Sequence, residues 1–367
     1  MQKSIYSQRI KAVAENMKEQ AFSQIIVTSP ASVFYLSGIW VQPYERMLAL
    51  CLNDGGEAAL CANALFGISQ SQLGCELINH SDSDDPIAGL AALIKPGNLG
   101  IDKSWQARFY IPLASKLSST SISLGSSPVD EARMAKGNDE IELMKLASKI
   151  NDQVMAYIIS AASEGISESE CYSLVCKAYT ELGADEPIGE QIIAFGENAA
   201  DAHHSVSKRS LRSGDCALFD LFAPVNRYWA DMSRTAFLHT ASNQAQDIYG
   251  IVKQAQQAAA DLAKPGVPLA EIDRAARGII EKAGFADQFT HRLGHGIGLE
   301  EHEPPDVSAL STEIARKGMI FSIEPGIYIG ENYAKLLPMG VRIEDLILIT
   351  EGGSESLNSY TKELQIL

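Results

Sequence analysis

Apolar and polar positions follow two rhythms along this chain. A helical rhythm opens it, with Ile5, Ile10, Val13 and Met17 on one side of the first twenty residues. Short β-type runs follow. "SQIIVTSP" predicts a strand ending in a turn, and "NLGID" predicts another. "MLALCLNDGGEAALC" predicts two strands joined at Asn53-Asp54-Gly55-Gly56. Residues 1 to about 125 therefore read as an α/β arrangement with its own apolar segments. The Ser/Gly-rich stretch "SSTSISLGSSP" (118–128) marks the expected boundary, giving domains over 1–127 and 128–367.

Beyond that boundary the helical rhythm returns over 138–162 and again over 243–263. Each long helix precedes a similar segment, "EGISESECYSLVCKAYTELGA" and "PGVPLAEIDRAARGIIEKAGF". At an offset of 101 residues Gly165 matches Gly266, Glu170 matches Glu271 and Gly183 matches Gly284. Strand-rich sequence follows both. Fixed-offset similarity of this kind predicts two related halves, a pseudo-twofold domain with a site between them.

Four strongly apolar runs in the second domain are each broken by a carboxylate. They are "CALFDLFA" with Asp220, "YWADMSRTAFL" with Asp231, "MIFSIEPGIYI" with Glu324 and "GVRIEDLILIT" with Glu344, which Asp345 follows. Asp231 falls on the expected returning strand of a hairpin that begins with Asp220. Burying an unpaired carboxylate costs several kcal/mol. Arg234 and Arg342 are too few to neutralise four such acids, so a cation site that gathers them is the economical account. Four carboxylates balance two divalent ions. With one imidazole, oxygen-rich ligands suit Mn²⁺, Co²⁺, Fe²⁺ or Zn²⁺ better than a cysteine-rich structural zinc site. Three of the seven histidines, His291, His295 and His302, crowd into "HRLGHGIGLEEHEPP".

Composition narrows the class further. The chain has 367 residues, 46% hydrophobic, with a mean hydropathy of −0.03, so it has material for a substantial core. The net charge of −16 excludes a nucleic-acid-coating surface, which needs clustered Lys and Arg. No apolar run of membrane-spanning length exists, and the opening segment lacks the apolar core of a secretory signal. Six cysteines without a C-x-x-C pair predict free thiols in a reducing cytoplasm. No P-loop, dinucleotide fingerprint, H-E-x-x-H or G-x-S-x-G is present.

Taken in order, "GENAADAHH", "GDCALFDLF…YWADMSRTAF", "HRLGHGIGLEEHEPP", "FSIEPGIYI" and "GVRIEDLILIT" resemble the proline-specific metallopeptidases of the pita-bread fold. These are Xaa-Pro dipeptidase (prolidase) and aminopeptidase P, relatives of creatinase. "SPASVFYLSGIWVQPYERMLAL" is similar to the N-terminal domain of that branch. The resemblance implies an α+β chain: a small α/β creatinase-like capping and dimerisation domain, then a pita-bread catalytic domain. It implies a homodimer, with the 37–47 loop reaching the partner's site.

Carried over by residue, the resemblance implies metal ligands at Asp220, Asp231, His295, Glu324 and Glu344, with Asp231 and Glu344 bridging two ions, most simply Mn²⁺. His203, with His204 as the neighbouring alternative, matches a histidine near the scissile bond. His291 and His302 match histidines that contact substrate and stabilise the tetrahedral intermediate. Tyr328 matches a tyrosine at the site, and Arg342 an arginine beside the bridging glutamate. The implied reaction is hydrolysis of Xaa-Pro bonds, in dipeptides or at peptide N-termini, by a metal-bridging hydroxide, with Glu324 moving the proton. The alternatives are a same-fold hydrolase of a non-proline C–N bond and a non-catalytic binding protein. Two positions depart from the pattern. Phe222 follows Asp220 where small residues are usual. Asp306 stands where several prolidases place an arginine for the dipeptide carboxylate, a role that Arg46 is a candidate to fill.

Overall fold

The Asn53 side chain accepts hydrogen bonds from the N–H groups of Gly55 and Glu57, each at 3.0 Å, and the chain reverses through Gly56 at φ 85°. The hairpin expected there is present, and β-type alternation on either side of it supplies buried faces. The fold is that of a computed structural model, which describes residues 3–186, 188–331, 333 and 336–367.

The chain divides into two compact units, Met1–Arg133 and Met134–Leu367. The first holds α1 (Lys3–Glu19), β1 (Gln24–Val27), α2 (Pro30–Ser37), β2 (Leu48–Asn53) and β3 (Ala58–Asn63). It continues with β4 (Glu76–His80), α3 (Pro86–Ala91), β5 (Asn98–Ile101), α4 (Ala107–Lys116) and β6 (Ser121–Leu124). Its six strands form one mixed sheet in the order β4-β3-β2-β1-β5-β6. Val13 and Met17 of α1 are fully buried, as their spacing requires. The Ser/Gly-rich stretch leads into α5 (Ser127–Met134), and the division between units falls at the far end of that helix.

The second unit contains α6 (Asn138–Ala161), α7 (Glu168–Leu182), β7 (Ile192–Phe195), β8 (Cys216–Val225) and β9 (Tyr228–Phe237). Then come α8 (Asn243–Leu262), α9 (Leu269–Lys282), β10 (Gly294–Gly296), β11 (Glu303–Val307) and β12 (Ile320–Ile323). It closes with β13 (Gly326–Ile329), β14 (Met339–Arg342), β15 (Asp345–Ile349), β16 (Ser354–Ser356) and β17 (Gln365–Ile366). They pair as β17-β9-β8-β7, β11-β10-β12-β15-β16 and β13-β14. One apolar core lies under α6 and α7, and a larger one under α8 and α9.

The two halves repeat one another down to the backbone. Gly165 and Gly266 have φ of 88° and 85°, and Gly183 and Gly284 have φ of 88° and 87°. All four lie in the left-handed region, where a Cβ is strained. Gly165 N–H donates to Leu211 and Gly266 N–H to Ala315, both at 2.9 Å. The matched glycines therefore mark equivalent turns before and after α7 and α9. Among the described residues no helix is long and apolar enough to cross a membrane.

Candidate active site

The β8–β9 hairpin turns through Asn226 and Arg227, with φ of 51° and 74°, the two positive values of a type I′ turn. Its register sets Asp220 opposite Ser233 and Phe222 opposite Asp231. Asp220 and Asp231 are thus diagonal neighbours, and period two puts both on one face of the sheet. Glu324 follows β12 directly and Glu344 precedes β15 directly, and β12 and β15 pair with Ile323 opposite Asp345. The Glu344 N–H donates to the Ser233 carbonyl at 3.1 Å, tying that end to the hairpin.

His295 completes the group. Ligand atoms of Asp231, His295 and Glu344 all lie within 4.8 Å of one another. His295 Nε2 is 3.4 Å from Glu324 and 3.7 Å from Asp231. Its Nδ1 lies 3.1 Å from the Gly296 carbonyl, which makes Nδ1 the protonated nitrogen and leaves the Nε2 lone pair free.

Asp220, Asp231, His295 and Glu344 are each at most 8% exposed, yet Asp220 Oδ1, Asp231 Oδ1 and Glu344 Oε1 accept no hydrogen bond from the described residues. Burial, reinforced by Glu344 and Asp220, pushes the Asp231 carboxyl well above the usual carboxylate range. Burial and then Glu324 do the same to Glu344. Burial first, and His302 next, keep His295 well below the usual imidazole value. Converging unpartnered carboxylate oxygens beside a neutral imidazole fit divalent cations, which supply the missing positive charge.

Arg342 organises the remainder. Its Nη2 donates to Asp220 at 2.6 Å, its Nε to Ser233 Oγ at 2.8 Å and its Nη1 to Tyr328 OH at 2.9 Å. Ser233 Oγ passes a bond on to Glu344 at 2.8 Å. One guanidinium thereby fixes two of the acids. A cavity of about 430 Å³ opens onto this group, bordered by His203, Phe222, Arg292, Glu301 and His302 among others.

Two protein-family models match the chain: Metallopeptidase family M24 over residues 142–351, and the Creatinase/Prolidase N-terminal domain over 9–135. The chain belongs to metallopeptidase family M24. It is 32% identical to an uncharacterized peptidase of Staphylococcus aureus (strain MW2), over 96% of this chain and 99% of that one. Its fold matches the dipeptidase PepE from Mycobacterium ulcerans at a TM-score of 0.92 and 30% identity, covering 100% and 99% of the two chains. It matches a prolidase from Thermococcus sibiricus at 0.92 and 32%, covering 99% of each. This M24 metallopeptidase accordingly has the pita-bread architecture, with a creatinase-type domain before it.

Several placements in this M24 site differ from the sequence reading. Tyr328, expected to touch substrate, does not border the cavity. It lies behind His291, whose Nε2 it meets at 2.9 Å. The other nitrogen of His291 meets the Arg292 carbonyl at 2.7 Å. Both His291 nitrogens are therefore engaged, and the ring offers no free donor to a substrate. Burial, with Arg342 next, lowers its pKa to about 4, in keeping with a neutral ring that accepts from Tyr328. His302 is exposed to the cavity with its ring edge-on to His295, centroids 4.1 Å apart. His203 is exposed, whereas His204 Nε2 is held by Glu168 at 2.9 Å. Arg46 is committed to Asp82 at 2.9 Å in the first unit. Asp306 is paired with Arg292, which does border the cavity.

The residues that hold the loops carry no motif in the sequence. Buried Glu168 accepts from Phe195 N–H, Asn198, His204 and Ser207, pinning the segment that carries His203. Arg277, paired with buried Asp273, donates to the carbonyls of Phe289 and His291. Their only early signal was position: each lies on α7 or α9, the repeated helix of its half.

The glycines around His295 are required by close approach. A Cβ on Gly294 would lie 1.9 Å from the Ser322 carbonyl oxygen, and one on Gly296 would lie 2.4 Å from that of Pro304. Because backbone is met on both sides, neither contact relaxes by rotating a side chain. Gly294→Ala is expected to destabilise the fold by at least about 2–3 kcal/mol. A thermal melt checks it; an unchanged Tm would show that β10 has room that the packing denies.

Proposed function

We propose that this chain hydrolyses the peptide bond preceding proline, in dipeptides or at peptide N-termini, with two divalent cations, Mn²⁺ foremost. One observation carries the reading: ligand atoms of Asp231, His295 and Glu344 lie within 4.8 Å of one another beside the cavity, and both acids, like Asp220, keep a buried oxygen without a partner among the described residues. The prolidase and dipeptidase names of the relatives support the substrate class.

Asp220, Asp231, His295, Glu324 and Glu344 would hold the cations. Such ions supply Lewis-acid chemistry, acidifying water and polarising the scissile carbonyl. The remaining work belongs to the protein's own groups. Glu324, which borders the cavity, takes the proton of the attacking water and returns it to the departing nitrogen. His302, exposed to the cavity, donates to the carbonyl oxygen as charge develops there. One such donor is typically worth ~10²–10³ in rate. His203, also on the cavity lining, orients the substrate. His291 acts through Tyr328, and Tyr328 through Arg342, keeping Asp220 in place. Ile192 and Phe222 give the cavity an apolar wall suited to a proline ring, whose tertiary nitrogen asks for no acceptor. Six free thiols support a reducing, cytoplasmic setting, and the creatinase-type domain supports a homodimer.

The test is turnover of alanyl-proline and of a tripeptide with the same Xaa-Pro bond after loading with Mn²⁺. Hydrolysis of either is the expected result, and their ratio reads the length preference. Metal-loaded protein that cleaves neither, yet cleaves a non-proline C–N substrate, overturns the proline assignment.

A further inference from the structure

The cavity of this site is bordered by five acids: Glu190, Asp220, Asp231, Glu301 and Glu324. Three of them belong to the cation-holding group, and Arg342 compensates Asp220 directly. Arg292 at the rim is offset by Asp306. Glu190 is exposed. Glu301 remains: partly buried, its carboxylate accepting no hydrogen bond and forming no ion pair among the described residues. It sits beside His302 and close enough to Asp220 and Asp231 to be repelled by both.

A partly buried carboxylate without a partner, aimed into a binding cavity, is matched by a cation on the ligand. Asp220, Asp231, Glu324 and Glu344 belong to the cation-holding group, where Arg342 adds its own positive charge, so the carboxylate at the inner cavity without a direct partner among the described residues is that of Glu301. In an Xaa-Pro substrate the α-ammonium is the cation nearest the scissile carbonyl, two bonds from it through Cα. An enzyme that cuts only after the first residue must read that ammonium.

We propose that Glu301 binds the free α-ammonium of the substrate and so restricts this site to the N-terminal peptide bond. The assignment rests on the Xaa-Pro reading above. Its occupant is the primary ammonium of the first residue, and no bond is made or broken at Glu301.

The experiment compares alanyl-proline with propionyl-proline, its isostere without the amino group, in Mn²⁺-loaded wild type, Glu301→Gln and Glu301→Asp. Where propionyl-proline turns over too slowly, its Ki against alanyl-proline replaces kcat/KM. Glu301→Gln is expected to lose roughly 10–100-fold in kcat/KM for alanyl-proline, the loss of one charge-assisted hydrogen bond. Propionyl-proline is expected to be unaffected or handled slightly better. Glu301→Asp should recover part of the loss, and the melting temperatures of both variants should stay within about 2 °C of wild type. A parallel loss on both substrates, or no loss on either, overturns the assignment. So does a loss confined to substrates with a lysine or arginine side chain, which would move the contact from the ammonium to that side chain. Wild type that cleaves neither alanyl-proline nor the tripeptide with the same Xaa-Pro bond shows up in the first measurement and sinks the Xaa-Pro reading itself; wild type that cleaves only the tripeptide moves the same comparison to that peptide and its des-amino analogue.

Discussion

Asp231→Asn is expected to lower kcat/KM by at least ~10²–10³, the scale set by losing one charged contact to a transition state. The same change is expected to stabilise the metal-free protein. Asp231 is 3% exposed, its Oδ1 has no partner, and Glu344 and Asp220 repel its charge. An amide of the same shape removes an uncompensated buried charge whose burial costs several kcal/mol when isolated. Ser233, Arg342 and Tyr328 stay in place, since none of them bonds to Asp231. A gain of about 1–2 kcal/mol corresponds to roughly 2–8 °C in Tm for a unit of this size. Added Mn²⁺ should then raise the Tm of wild type but hardly that of the variant. Melting curves with EDTA and with Mn²⁺ give both signs in one experiment. A metal-free variant less stable than metal-free wild type would show that this carboxylate serves the fold rather than a cation.

Metal removal carries the second large effect, and it depends on pH. In the unfolded chain these carboxyls titrate near 4. In the folded, metal-free protein burial raises Asp231 and Glu344 well above that range and raises Glu324 to about 7. A carboxyl with a raised folded pKa contributes its stability below pH 4 and loses it as pH climbs toward the folded value. Metal-free protein should therefore lose stability between about pH 4 and pH 7 and above. Divalent ions reverse this by holding the ionised forms. At a free concentration 1,000 times Kd, binding adds about 4.1 kcal/mol, or roughly 8–16 °C. The increment should grow from pH 5.5 to pH 8, because protons compete with metal at the lower pH. Thermal melts with and without 1 mM-scale Mn²⁺ across that range check it. An increment that stays flat or shrinks with rising pH would rule out these carboxyls as the binding groups.

The parts of this protein legible in its sequence share a physical origin. Helix and strand periodicity reports which face is buried, and that sufficed for α1, α6, α8 and the hairpin at Asn53. The repeated glycines reported turns that only a left-handed residue makes, and all four have positive φ. The acids were legible because a carboxylate inside an apolar run is costly. Asp220, Asp231, Glu324 and Glu344 stood out against residues such as Leu221, Met232, Ile323 and Ile343, which are almost wholly buried.

What the chain order could not convey was which partner each side chain meets across the fold. Hydrogen bonds between residues 100 or more apart in sequence depend on tertiary packing, and several define this site. Arg342 reaches Asp220 and Ser233, and Ser233 reaches Glu344. Only that packing withdrew Tyr328 from the cavity wall, engaged both ring nitrogens of His291 at that wall, tied His204 to Glu168 and left His203 exposed. It also joined Asp306 to Arg292, so that the acid at that position is neutralised rather than facing the substrate alone. Residue type and spacing determined which groups could gather around cations, because burial penalties are properties of the residues themselves. The direction each group faces, and which acid remains without a partner at Glu301, was decided by the tertiary structure, because those properties belong to pairs.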